Sequence, residues 1–121
     1  MKQDIKNRSD IERMVKAFYG SLLTEESIKP LFAQTDLEKH FPHMYAFWGF
    51  VLLNEEGYKT NVMERHFHLP LKAEHFDTWL VHFNKILDEN FEGETTELAR
   101  TRAHSIAAML KMKFEQMGKL K

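Results

Sequence analysis

The sequence predicts a single all-α domain. Three observations predict it: a length of 121 residues, enough for one core but short for two domains; apolar stripes that recur at three- and four-residue spacings in every strongly patterned segment; and capping or terminating residues at the ends of those stripes. No segment alternates with the period of a strand, and no internal repeat, low-complexity tract or linker divides the chain.

The first helix is expected to start at Ser9-Asp10-Ile11-Glu12, which reads as a capping box: a Ser side chain accepts from an orphan N–H and a Glu reaches back. Ile11, Met14, Val15, Phe18 and Leu22 then form a stripe to about Leu23, with Tyr19 beside it. Residues 25 to 32 read as a short helical turn interrupted by Pro30. Thr35-Asp36-Leu37-Glu38 offers a second capping box, followed by helix to about Asn54. Pro42 falls within that segment, so either the helix begins near Phe41 or its first turn is distorted. Its stripe is Phe41, Met44, Phe47, Trp48, Val51 and Leu52.

A short helix is expected from about Thr60 to Phe67, stopped by Pro70. Within MERHFHLP, His66 belongs to a last turn and His68 to the exit, which argues against reading H-x-H as a strand-borne zinc site. A further helix from about Ala73 to Phe91 carries Phe76, Leu80, Phe83 and Leu87 with Trp79 alongside, and Gly93 marks a turn. The last helix, about Thr95 to Met117, is read from Leu98, Ala103, Ile106, Ala107, Leu110 and Phe114, with Gly118 as terminator.

Composition narrows the function. A formal charge of -1 gives no electrostatic reason to expect nucleic acid or an anionic membrane as partner. The chain has no cysteine, which removes disulfides, thiolate nucleophiles, iron–sulfur ligation and covalent haem attachment. The amino terminus lacks the apolar run of a signal peptide and no stretch is long enough to span a membrane, so the expectation is a cytoplasmic protein. There is no H-E-x-x-H, G-x-S-x-G, G-x-x-x-x-G-K or G-x-G-x-x-G, and no Glu-x-x-His of the di-iron bundles. What stands out instead is 10 Phe, 7 Met and 7 His in so short a chain. A helix-end histidine flanked by helices bearing large apolar side chains suits a flat apolar cofactor, although by spacing alone such a histidine is more often a cap or a surface residue.

Taken together, AFYGSLL (17–23), PLF (30–32), HFPHMYAFW (40–48), RHFHLPL (65–71), EHFDTWLVHF (74–83) and RAHSIAAML (102–110) occur in the order and with gaps similar to those of group III truncated haemoglobins, and the chain resembles that family from about Ser9 to Met117. The resemblance implies a shortened globin fold, a two-over-two helical sandwich around one haem. It implies His66 as the metal ligand of a non-covalent haem b, with His68 a turn residue. Tyr19 after Phe18, Trp79 in W-L-x-x-F and His40 seven residues before the F-W pair take the distal positions. His40 is either a ligand contact or a gate.

Phe18, Phe32, Phe41, Met44, Phe47, Trp48 and Phe76 are then expected as cofactor-binding walls, while His43, His75, His82 and His104 read as surface or satisfied histidines. Where the family often has glycine and proline before its proximal histidine, this chain has Tyr58-Lys59-Thr60-Asn61-Val62. The resemblance points to oxygen or nitric oxide as ligand and to dioxygenase or peroxidase-like chemistry with an external reductase. Gas sensing and a cofactor-free interaction module are the competing classes.

Overall fold

The computed structural model describes residues 2–32, 36–55 and 71–118. Among these residues the architecture is helical: α1 (Arg8–Leu22), a 3-10 turn (Lys29–Phe32), α2 (Leu37–Leu53), α3 (Ala73–Asn90) and α4 (Glu94–Gln116). Helix α1 packs on α2 and α3, and α4 packs on α3 and α2, so the pair α1/α2 lies over the pair α3/α4. The predicted two-over-two sandwich is therefore the observed fold. The expected helix at residues 60–67, together with His66, His68 and Pro70, lies outside the described residues.

Two helix starts differ from the sequence expectation. Helix α1 is capped by Asn7, whose side chain accepts from Asp10 N at 3.0 Å, two residues ahead of the predicted Ser9. An asparagine side chain satisfies an orphan N–H as well as a serine does, so the helix extends back to the first competent acceptor. Helix α2 is capped by Asp36, whose Oδ1 accepts from Glu38 N at 3.1 Å. The helix begins at Leu37 and runs through Pro42, which sits in its second turn. Proline removes only the bond that would return to the Glu38 carbonyl, and the following turns continue. Asn54 closes α2 in the left-handed conformation, with φ 58°.

The core is aromatic and continuous. Phe83 (1 % exposed) lies between Trp48, at 5.1 Å and nearly parallel, and Phe18, at 5.2 Å edge-on, with Trp79 stacked at 6.1 Å. Offset and edge-on pairs of this kind add about 0.5–1.5 kcal/mol each beyond their buried area. They tie α1, α2 and α3 together at one place.

The sequence reading did not anticipate how the α3–α4 corner is secured. Residues 2–6 run beside it: Gln3 bridges Phe91, Glu92 N donates to the Gln3 carbonyl at 3.1 Å, and Ile5 is buried in the core. The Asp4 carboxylate accepts from Thr95 N (2.9 Å), Thr96 N (2.8 Å) and Thr96 Oγ1 (2.8 Å). It thus caps α4 from 91 residues away in sequence, where Gly93 contributes no side chain of its own. Gly93 has φ 145°, and a Cβ there would collide with the Asp4 side chain. Both facts require glycine.

Burial raises the Asp4 pKa, but the hydrogen bonds from Thr95, Thr96 and Ile5 together outweigh it and hold the carboxyl below its ordinary value. A folded-state pKa lowered in this way contributes stability above the unfolded value and loses it as pH falls through the folded one. Asp4→Ala is accordingly expected to lower unfolding free energy by about 1–2 kcal/mol at neutral pH. In denaturant titrations the gap between native and variant proteins should narrow below about pH 4. A gap that is constant from pH 3 to pH 7 would remove the capping account.

Candidate haem and ligand site

Tyr19 leaves α1 on the edge of the aromatic core and is 5 % exposed. Its ring meets Phe18 at 5.3 Å, Phe32 of the 3-10 turn at 5.7 Å edge-on, and His40 and Phe41 of α2 at 5.6 and 5.5 Å. Its hydroxyl lies 2.9 Å from His40 Nε2. With the imidazole neutral and its proton on Nδ1, the phenol donates and Nε2 accepts. Burial raises the Tyr19 pKa far above its ordinary value, so the hydroxyl keeps its proton and remains a donor.

The structure thus brings together Tyr19, His40, Phe32 and Phe41. It places Trp79 next to them through Phe18, whose ring it meets edge-on at 5.8 Å. Phe47 and Trp48 lie in the same cluster, edge to face at 5.2 Å and both buried, and Met44 packs at its partly buried margin. Phe76 stands apart. Although it is one turn before Trp79 on α3, it packs edge-on against Phe114 at 5.6 Å in a second cluster with Leu110. Ile106 of α4 touches both clusters, and Leu71, the first described residue after the stretch that carries His66, packs in the second.

Tyr45 was not among the sequence candidates. It stacks on Phe41 at 6.0 Å, as the spacing of four residues on one helix face could have shown. The other histidines are placed as expected: Lys72 N donates to His75 Nδ1 at 2.9 Å, His104 Nε2 is 3.0 Å from Asn84 Nδ2, and His82 is bonded at both ring nitrogens.

These residues fit a flat apolar cofactor. Large side chains that are only partly buried, Phe32, Phe41, Met44, Trp79 and Leu80, line the margin of the main cluster. The polar pair Tyr19 and His40 comes from two different elements. Among the described residues no group of three or more His, Asp or Glu could cage a metal ion directly.

An all-helical two-over-two domain with a donor pair set in an aromatic wall is built as a globin is. The chain belongs to the bacterial-like globin family, whose model matches residues 3–115. It is 25 % identical over 115 residues to the group 3 truncated hemoglobin of Campylobacter jejuni, covering 89 % of this chain and 91 % of that one. It is 30 % identical over 78 residues to the group 1 truncated hemoglobin GlbN of a Nostoc species, covering 64 % and 66 %. The crystal structure of the group III truncated hemoglobin from Campylobacter jejuni superposes with a TM-score of 0.84 at 25 % identity, covering 93 % of this chain and 94 % of that one. The resemblance to group III truncated haemoglobins is borne out, and membership of the globin family makes this a haem-containing, oxygen-binding protein. Among the described residues no helix is long and apolar enough to cross a membrane.

A buried hydroxyl that loses a hydrogen-bond partner incurs a desolvation cost, whereas removal of both groups does not. His40→Leu is therefore expected to destabilise the protein by about 1–3 kcal/mol, and to cost much less when Tyr19 is already Phe. Chemical denaturation of the two single variants and the double variant checks this. Equal costs of His40→Leu in both backgrounds would show that the pair is not coupled.

Proposed function

We propose that this chain holds a non-covalent haem b through His66 and uses Tyr19, with Trp79 and His40, to control oxygen or nitric oxide in redox chemistry that draws electrons from an external reductase in the cytoplasm. The observation that carries the reading is the buried Tyr19 hydroxyl, held protonated and paired with His40 beside a margin of partly buried aromatic residues. When bound, the haem would supply an iron able to take a diatomic ligand.

The protein's part follows from its own side chains. His66 would hold the iron from one side through one ring nitrogen, its other N–H fixed by an acceptor. Phe32, Phe41, Met44, Phe47 and Trp48 would exclude water from the macrocycle, with Phe18 behind Tyr19 and Phe76 contributing from the second cluster. Tyr19 is a donor already oriented in a low-dielectric setting, where a hydrogen bond to a ligand carrying partial negative charge counts for more than in water. It does not start free, because His40 Nε2 holds its O–H. Donation to a ligand means turning away from His40, so His40 competes with the ligand and sets how firmly Tyr19 commits to it. Trp79 would add a second donor, its indole N–H, from α3.

Two donors at about 1–1.5 kcal/mol each slow ligand escape by roughly ten- to a hundredfold. Slow release favours reaction over transport, which supports dioxygenation of nitric oxide or a peroxidase-like reaction over simple carriage.

The purified protein is expected to show a Soret band that His66→Ala abolishes or badly weakens. Tyr19→Phe should accelerate oxygen dissociation about tenfold in stopped-flow measurements. Rapid dissociation indifferent to Tyr19→Phe would overturn the donor role, and an oxygenated protein that leaves nitric oxide unconsumed would overturn the dioxygenase reading.

A further inference from the structure

We propose that His82, hydrogen-bonded to Ser21 and Glu25, is a positioning residue for the ligand site: it sets the register of α3 against α1, and so the place of Trp79 relative to Tyr19. His82 is 7 % exposed. Its Nδ1 lies 2.7 Å from Ser21 Oγ on α1, and its Nε2 lies 2.9 Å from Glu25 Oε1 in the turn that follows α1. An ionised carboxylate can only accept, so Nε2 carries a proton and donates to Glu25. In the neutral ring Nδ1 then accepts from the Ser21 hydroxyl. One imidazole is thereby tied to two elements by bonds whose directions it cannot exchange.

The position of this tie gives it a consequence for the site. Phe18 meets Trp79 at one rung of the α1–α3 contact, and Ser21 meets His82 one turn further along both helices. Tyr19 lies between the two rungs on α1, and His82 immediately precedes Phe83, the ring on which Trp79 stacks. Contacts between aromatic rings change little when one helix slides by a fraction of an ångström, because dispersion is spread over many atoms. A 2.7 Å hydrogen bond does not tolerate the same slide. The polar rung therefore fixes what the aromatic rung leaves loose.

Ser21, His82 and Glu25 also have the connectivity of a nucleophile, a base and an orienting acid. That chemistry needs N–H donors for an oxyanion, and the backbone N–H groups just beyond Ser21 are engaged: Leu23 N donates to Tyr19 O, Thr24 N to Ser21 O and Glu25 N to Leu22 O. The arrangement is suited to holding a register.

The proposal rests on the reading of Tyr19 as ligand donor, and the test separates the two. Oxygen dissociation, thermal unfolding and the NMR resonance of the Tyr19 hydroxyl proton in the ferrous carbonmonoxy protein are measured for native, Tyr19→Phe, Ser21→Ala, His82→Leu and His82→Gln proteins, and for each His82 change combined with Tyr19→Phe. His82→Leu and Ser21→Ala are expected to speed oxygen dissociation roughly three- to tenfold and to shift the Tyr19 resonance, with a smaller acceleration where Tyr19 is already Phe and only the Trp79 contact remains to be lost. His82→Gln, which keeps a donor for Glu25, should recover part of the native rate. Ser21→Ala removes a single oxygen atom and serves where His82→Leu does not fold. Variants that only lower the melting temperature, with rate and resonance unchanged, would overturn the proposal, as would equal acceleration in the Tyr19→Phe background. If Tyr19→Phe itself leaves the rate unchanged, the donor reading falls, and the resonance decides for His82: a shift supports the register role and an unmoved resonance overturns it.

Discussion

A phenol hydroxyl buried among aromatic rings must have a partner, and the site is arranged around that requirement. Tyr19 contributes a large apolar ring to the core, but its hydroxyl would carry a desolvation cost if it were left alone. His40 satisfies it from α2, which obliges α2 to lie close to α1 at this level. Phe32 from the 3-10 turn and Phe41 from the next residue of α2 seal the pair from two sides. The same burial keeps the phenol protonated. A packing necessity and a chemical function thus coincide: the donor a diatomic ligand would use is one the fold already has to orient.

The rest of the molecule holds the elements that carry this pair. Phe83 and Trp48 join α2 to α3 through stacked rings, and Phe18 joins both to α1. The α3–α4 corner adds polar fastenings to the buried Phe91 and Ile5, with Asp4 capping α4 and Arg100 reaching Asp88 of α3 at 2.6 Å and Glu97 of its own helix at 3.1 Å. Asp4 contributes through the hydrogen bonds that its carboxylate accepts at the start of α4. The Arg100 ion pairs are half open to water and contribute less for their number.

Much of this was readable from the residues. The stripe of Ile11, Met14, Val15, Phe18 and Leu22 and that of Phe76, Phe83 and Leu87 locate α1 and α3 within a residue or two, because a buried helix face writes its period into the sequence. Starts were harder. Ser9 and Thr35 look like caps, yet Asn7 and Asp36 are the caps, since neighbouring polar side chains compete for the same N–H groups. Asp4 on α4 was not legible, because nothing local marks a cap supplied from 91 residues away. The face of a helix is local information and its neighbour is not, so Phe76 and Phe83 share a stripe but enter different clusters. The pairing of Tyr19 with His40, 21 residues apart, could be anticipated only from family resemblance, and that of His82 with Ser21 and Glu25 was not anticipated beyond the expectation that His82 would be satisfied.

The central claim is that the Tyr19 hydroxyl would be the donor to a diatomic ligand held at the haem. The infrared stretching band of carbon monoxide bound to the ferrous protein reads that donor directly, because a hydrogen bond to the ligand weakens the carbon–oxygen bond. The account predicts a low-frequency band in the native protein that moves to higher frequency in Tyr19→Phe. An identical band in the two proteins would contradict it.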